Sequence, residues 1–200
     1  VDHYLEFPNS WGLGSSSTLI YNMASWADVN PYHLYFDVEQ GSGYDVACAG
    51  AEGPILYTLG DGSIDLEEID FKPSFKDKLF FIPLNQKTSS KEAVEQAKQQ
   101  KPDKKIIQEA TDLTHKLLDI QSLTQFENWI AQHEQLISNF TGLKQIKQQL
   151  FHDFPGEIKS LGAWGGDMVL ATANSGKEAL ETYFKGKGYE KVIPYAELIL

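Results

Sequence analysis

The residues with the clearest chemical potential lie in "FPNSWGLGSSSTLI", Phe7 to Ile20. Gly12 and Gly14 allow a backbone with positive φ and a close approach to a ligand. Ser15, Ser16, Ser17 and Thr18 then open an apolar run. The first four N–H groups of a helix have no partner within it, and the helix dipole adds partial positive charge there. A phosphate group fits such a mouth. Hydroxyls at Ser15, Ser16 and Ser17 can bond phosphate oxygens or ligate Mg²⁺, a hard ion that prefers oxygen. The plainer alternative is a helix with more capping groups than it needs. The string is not a Walker A loop, having no Gly-Lys-Ser/Thr, and it lacks the third glycine of the dinucleotide fingerprint.

Two further glycine strings follow. In "GSGYDVACAGAEG", Gly41 to Gly53, Asp45 stands at the start of a short, small-residue helix. It is either a cap or a functional acid. "GAWGGDMV", from Gly162, is a glycine loop between two strands, or simply a hairpin turn. The histidines show no metal-ligand spacing. Glu39 is a weak candidate for a second Mg²⁺ ligand, and the acidic run from Asp61 to Asp70 reads as a solvated edge.

These strings must be held by recognisable elements. Residues 2–8 alternate like a strand and stop at Pro8. Residues 15–27 have one apolar face, and Asn30-Pro31 marks a helix start that runs to about Val38. Residues 44–51 read as a short buried helix, 54–59 as a strand, 60–62 as a turn and 63–70 as its return. Strands are expected at 78–84, 157–162, 167–173 and 189–195. Helices are expected at 90–100, 103–120, 123–140, 143–151 and 176–186. The second half is then a small antiparallel sheet with helices on one face, an α+β arrangement. A composition shift near 71–76 places the domain boundary, giving domains 1–74 and 75–200.

The bulk numbers narrow the classes. The chain has 200 residues and a formal charge of −11. It is long enough for a sizeable core. No dense basic run exists to track nucleic acid, and the acidity disfavours an anionic membrane. A single cysteine, Cys48, suits a reducing, cytoplasmic compartment. No apolar run approaches the roughly 18 residues of a bilayer span. The start, Val1-Asp2-His3, opens on a strand-like run without methionine, so an upstream portion is expected.

The three strings, in this order, resemble the GHMP kinases (galactokinase, homoserine, mevalonate and phosphomevalonate kinases). Pro8, Gly12, Leu13, Gly14, Ser15 and Ser16 match that family's phosphate motif, with Ser17 where alanine is usual. Gly41-Ser42-Gly43-Tyr44-Asp45-Val46-Ala47 resembles its catalytic-aspartate segment, closest to phosphomevalonate kinases and to a bacterial subgroup named for Gly-Tyr-Asp-Ile-Ala. Lys159 to Asp167 resembles its third motif, with Trp164 replacing a glycine. The family's upstream Lys-bearing strand has no counterpart. The resemblance implies a two-domain α+β fold: a truncated N-terminal ATP-binding α/β domain, then a ferredoxin-like C-terminal domain.

It further implies ATP and Mg²⁺ as cofactors. Gly12, Leu13, Gly14, Ser15, Ser16 and Ser17 would hold the nucleotide, Ser16 the metal, and Asp45 would be catalytic. Ser42, Gly43, Ser90, Gly162, Ala163, Gly165 and Gly166 would lie near the substrate. Ser90 comes from the Ser/Thr-rich stretch Thr88-Ser89-Ser90. The implied activity is phosphoryl transfer to mevalonate or phosphomevalonate in isoprenoid precursor synthesis, with a homodimer left open. The alternative is a non-catalytic nucleotide-binding or regulatory homologue.

Overall fold

Local capping decides most of the first seventy residues. Trp11 N–H bonds the Pro8 carbonyl at 3.0 Å, closing a 3₁₀ turn over Asn9–Trp11. Gly12 and Gly14 then take left-handed conformations, with φ of 66° and 70°, which would strain any residue with a Cβ. They aim the chain into α1 (Ser15–Ala27). Asp28 ends that helix, itself left-handed at φ 54°. Asn30 starts the next, its side chain accepting from Tyr32 N–H at 2.8 Å and His33 N–H at 3.2 Å. Pro31 follows at the first helical position of α2 (Pro31–Val38). A third helix, α3 (Tyr44–Gly50), precedes an antiparallel hairpin of β1 (Ile55–Leu59) and β2 (Ile64–Glu68).

The computed structural model describes residues 2–60, 63–85, 102–162 and 167–199. The chain divides into two compact units, Val1–Phe71 and Lys72–Leu200. The first buries little. Among its described residues only Ser17, Ala24, Gly43, Val46 and Ala47 are buried. The strand expected at residues 2–8 does not form: these residues are irregular, with Tyr4 and Leu5 exposed. Alternation makes a strand only where another backbone accepts its hydrogen bonds. In this unit's described sheet β1 and β2 pair only with each other.

The second unit has a four-stranded sheet of β3 (Leu79–Pro83), β4 (Ile158–Leu161), β5 (Met168–Thr172) and β6 (Ile193–Pro194). Its order is β4-β5-β3-β6, every pair antiparallel. The helices are α4 (Lys104–Leu118), α5 (Leu123–Thr141), α6 (Ile146–Leu150), α7 (Lys177–Gly186) and α8 (Tyr195–Leu198). Asp103 caps α4 through Ile106 N–H, and Ser122 caps α5 through Gln125 N–H. The Trp129 indole N–H donates to the Leu113 carbonyl at 2.7 Å, tying α5 to α4. The class is therefore α+β. The helix expected at 90–100 falls outside the described residues.

Two expectations for this unit need correction. Helices were expected on one face of the sheet, but every residue of β3 and β5 is buried, so both faces are covered. Phe80, Ile82, Val169, Ala171 and Ile158 share a core with Phe151, Phe154, Leu180 and Phe184. Residues of the opposite parity meet α5: Thr172 donates to Glu127 at 2.7 Å, and Lys159 to Glu134 at 3.2 Å. The unbroken apolar run of β3 is what two-sided burial requires. The strand expected at 189–195 shrinks to Ile193–Pro194. Pro194 has no N–H to extend the ladder, and the chain turns directly into α8.

Candidate phosphate site of the first unit

The mouth of α1 is built without a side-chain cap. Its N-cap is Gly14, and the first helical bond runs from Thr18 N–H to the Gly14 carbonyl at 2.9 Å. The Ser15, Ser16 and Ser17 N–H groups precede it, as the orphan donors of a helix start. The three hydroxyls differ. Ser15 donates to the Asn9 side-chain oxygen at 2.7 Å. Ser17 is buried and donates back to the Gly14 carbonyl at 3.0 Å. Ser16 is exposed and carries no hydrogen bond among the described residues. Ser15 therefore braces the loop, Ser17 packs, and only Ser16 offers a free oxygen outward. Leu13 is half-buried between the two left-handed glycines.

A metal would find one ready protein ligand here, the Ser16 hydroxyl. Among the described residues no group of three or more His, Cys, Asp or Glu could hold a metal ion. Mg²⁺ bound with a polyphosphate takes one or two protein oxygens, the phosphate oxygens and water. Ser16 fits that limited demand.

The second string sits on α3, which packs against α1. Small residues allow this: Val46 and Ala47 are buried, and the Tyr21 ring of α1 lies directly against Gly50. Gly43 is the N-cap of α3, with φ of 79°. It is buried, with Tyr32, Phe36 and the Tyr57 hydroxyl 3.4–3.6 Å from where a Cβ would stand. The Ser42 hydroxyl accepts from Tyr44 N–H at 3.2 Å, and the Ser42 carbonyl accepts from the Tyr57 hydroxyl. Gly43 thus sets the backbone from beneath an aromatic cover, and Ser42 is engaged at both its oxygens.

Asp45 occupies the first turn of α3 and is exposed as a residue. Surrounding protein nonetheless desolvates its carboxyl, which is pushed above the ordinary carboxylate range. Tyr44 is raised chiefly by burial, then by the charge of Cys48 and by its hydroxyl's hydrogen bond to Cys48. Burial likewise pushes the exposed Cys48 thiol up, against that same bond.

Sequence reasoning did not reach the phenols that brace this loop. Tyr57 comes from β1, and its ring meets that of Tyr44 edge-on at 5.7 Å. Nothing in "PILYTL" marks it, because its partner lies fifteen residues away. Also unmarked is the fact that residues 1–71 contain twelve Asp and Glu and no Lys or Arg. Every one of the seventeen basic residues is a lysine at position 72 or beyond.

The third string is only partly described. Gly162 stands at the end of β4 with φ of 70°, in the second unit. Ala163, Gly165 and Gly166, and Ser90 with its neighbours, lie outside the described residues. Compared with known proteins, the chain matches no family model, no curated protein and no solved structure.

Proposed function

We propose that the chain is an ATP-dependent small-molecule kinase of GHMP type, transferring the γ-phosphoryl group to mevalonate or phosphomevalonate. The observation that carries this reading is the mouth of α1. An uncapped helix start follows two left-handed glycines, with a free Ser16 hydroxyl at the edge and a desolvated carboxyl on the adjoining helix. Phosphoryl transfer asks for positioning and charge stabilisation more than covalent chemistry. Orphan amides, a metal ligand and one carboxylate supply that combination. The antiparallel order β4-β5-β3-β6 supports the finer, ferredoxin-like reading in its strand sequence, while the contacts of Thr172 and Lys159 with α5 on the second face depart from a two-layer sheet of that kind.

In this reading Gly12, Leu13, Gly14, Ser15, Ser16 and Ser17 form the nucleotide loop, and Ser16 would hold Mg²⁺. When bound, the metal would neutralise phosphate charge. Asp45 would accept or orient the proton of the attacking oxygen. Ser42, Gly43, Ser90, Gly162, Ala163, Gly165 and Gly166 would shape the acceptor side.

A second reading has one observation in its favour. The first unit has no Lys or Arg to offer a polyphosphate, which suits a nucleotide-binding homologue without catalysis. Two variants separate the readings. With Mg·ATP and each acceptor, Asp45→Asn should retain nucleotide binding within about threefold and lose transfer at least about a hundredfold. Gly14→Ala should lose binding itself. Binding without turnover in the unaltered chain would favour the second reading, and no binding at all would sink both.

A further inference from the structure

We propose that the outer face of α1 is a docking surface for a basic, amphipathic polypeptide segment. Three side chains spaced along one helical face define it: Leu19, Met23 and Trp26, which are 44%, 46% and 71% exposed. The opposite face, Ser17 and Ala24, is the buried one. No residue of α1 is charged, and the polar side chains beside this stripe are the neutral Ser16 and Asn22. Scattered exposed apolar side chains need no explanation, but a contiguous stripe with an exposed tryptophan marks an interaction surface.

The surroundings sharpen the demand. Eleven of the fifteen large apolar side chains exposed among the described residues lie in the first unit. Among its described residues, that unit buries only Ala24, Val46 and Ala47 of its apolar side chains. So small a core does not hold a unit of this size by itself. Apolar surface is thus left over for a further contact.

Charge selects among partners. Twelve carboxylates and no Lys or Arg stand in residues 1–71. A second copy docking through the same face would bring two such acidic units together, and their like charge disfavours that pairing. Anionic lipid is repelled for the same reason. A segment with apolar residues on one face and lysines or arginines beside them is complementary on both counts, as in the helix-in-groove mode of recognition.

The test uses the whole chain and three labelled helical peptides of about 14 residues. All share one leucine face, and their polar face is lysine, glutamine or glutamate. Fluorescence anisotropy should show the lysine peptide binding at least about tenfold tighter than the glutamine peptide, and the glutamate peptide not binding. Met23→Ser with Trp26→Ser should weaken the lysine peptide at least about tenfold while circular dichroism is unchanged. Unchanged affinity in that double variant would mean that charge alone attracts the peptide, and would overturn the proposal. Equal affinity for the glutamine peptide would do the same. So would a dimer in sedimentation that the double variant abolishes, since the occupant would then be a second copy.

Discussion

Single residues carry the sharpest expectations. Asp45 is held above the usual carboxylate range by desolvation, so its ionised form opposes folding. For a carboxyl with a raised folded-state value, that penalty fades as pH falls through the folded value towards the unfolded one. Asp45→Asn should therefore not lower the urea midpoint at neutral pH, and on the proposed kinase reading it should abolish transfer. His133 has the opposite sense. Burial, and then the neighbouring Lys159 charge, lower its pKa to about 4. Its Nδ1 accepts from the Lys159 ammonium at 3.1 Å, which needs a neutral ring. The unfolded chain binds that proton more readily, so stability is complete above about pH 6.5 and falls as pH drops towards 4, by up to about 3 kcal/mol. His133→Asn should flatten that part of a pH–stability curve measured by urea unfolding.

The same cluster shows what a buried pair demands. Lys159 and Glu134 side chains are 15% and 7% exposed, and Ser160 donates to both Glu134 oxygens. Lys159→Met would leave the Glu134 carboxylate buried with half its partners, at a cost of about 3 kcal/mol or more. Adding Glu134→Leu should recover much of that loss, and a double-mutant cycle measures the coupling.

At the scale of elements, glycines and caps separate positions that tolerate change from those that do not. Gly156 lies so close to the Thr172 carbonyl of β5 that a methyl group there would collide with backbone. Gly156→Ala should cost several kcal/mol, roughly 3 or more, in thermal or urea unfolding. Gly53 has nothing within 4 Å, and Gly53→Ala should be close to neutral. Asp153 links the turn after α6 to α7, accepting from the Tyr183 hydroxyl at 2.6 Å and the Lys187 ammonium at 2.9 Å. Those bonds, Tyr183 first, lower its carboxyl to about 2. Tyr183→Phe should return it towards the ordinary carboxylate value, as read by NMR titration.

Most helices were legible in the sequence because their signals are local. Asn30-Pro31 marks a start that the structure uses, with Asn30 as the cap, and the hairpin at 55–68 follows from its turn residues. The failures share one cause. Residues 2–8 and 189–195 alternate like strands, but pairing depends on a backbone distant in the chain. The apolar run of β3 states that it is buried without saying by what. In the candidate site, Gly12 and Gly14 were legible because positive φ has a residue signature. Ser15, Ser16 and Ser17 are identical letters whose hydroxyls take three different roles, set by Asn9, solvent and the Gly14 carbonyl. Tyr57 had no local mark at all.

At the scale of the whole molecule, charge is divided unevenly. With every lysine at position 72 or beyond, the first unit repels itself. Salt screens such repulsion. Raising NaCl from about 20 to about 300 mM should slow amide hydrogen exchange in residues 15–50 more than in β3 and β5. The same imbalance bears on a bound polyphosphate. On the proposed reading, the first unit itself would meet that charge with orphan amides and a metal, having no lysine of its own.

The most direct test follows the amides themselves. In a ¹H–¹⁵N spectrum of the whole chain, titration with Mg·ATP should shift the Ser15, Ser16 and Ser17 resonances saturably, with Gly14→Ala abolishing the response. Saturable shifts elsewhere with those three unmoved, or no shift at any nucleotide concentration, would contradict a phosphate site at the mouth of α1.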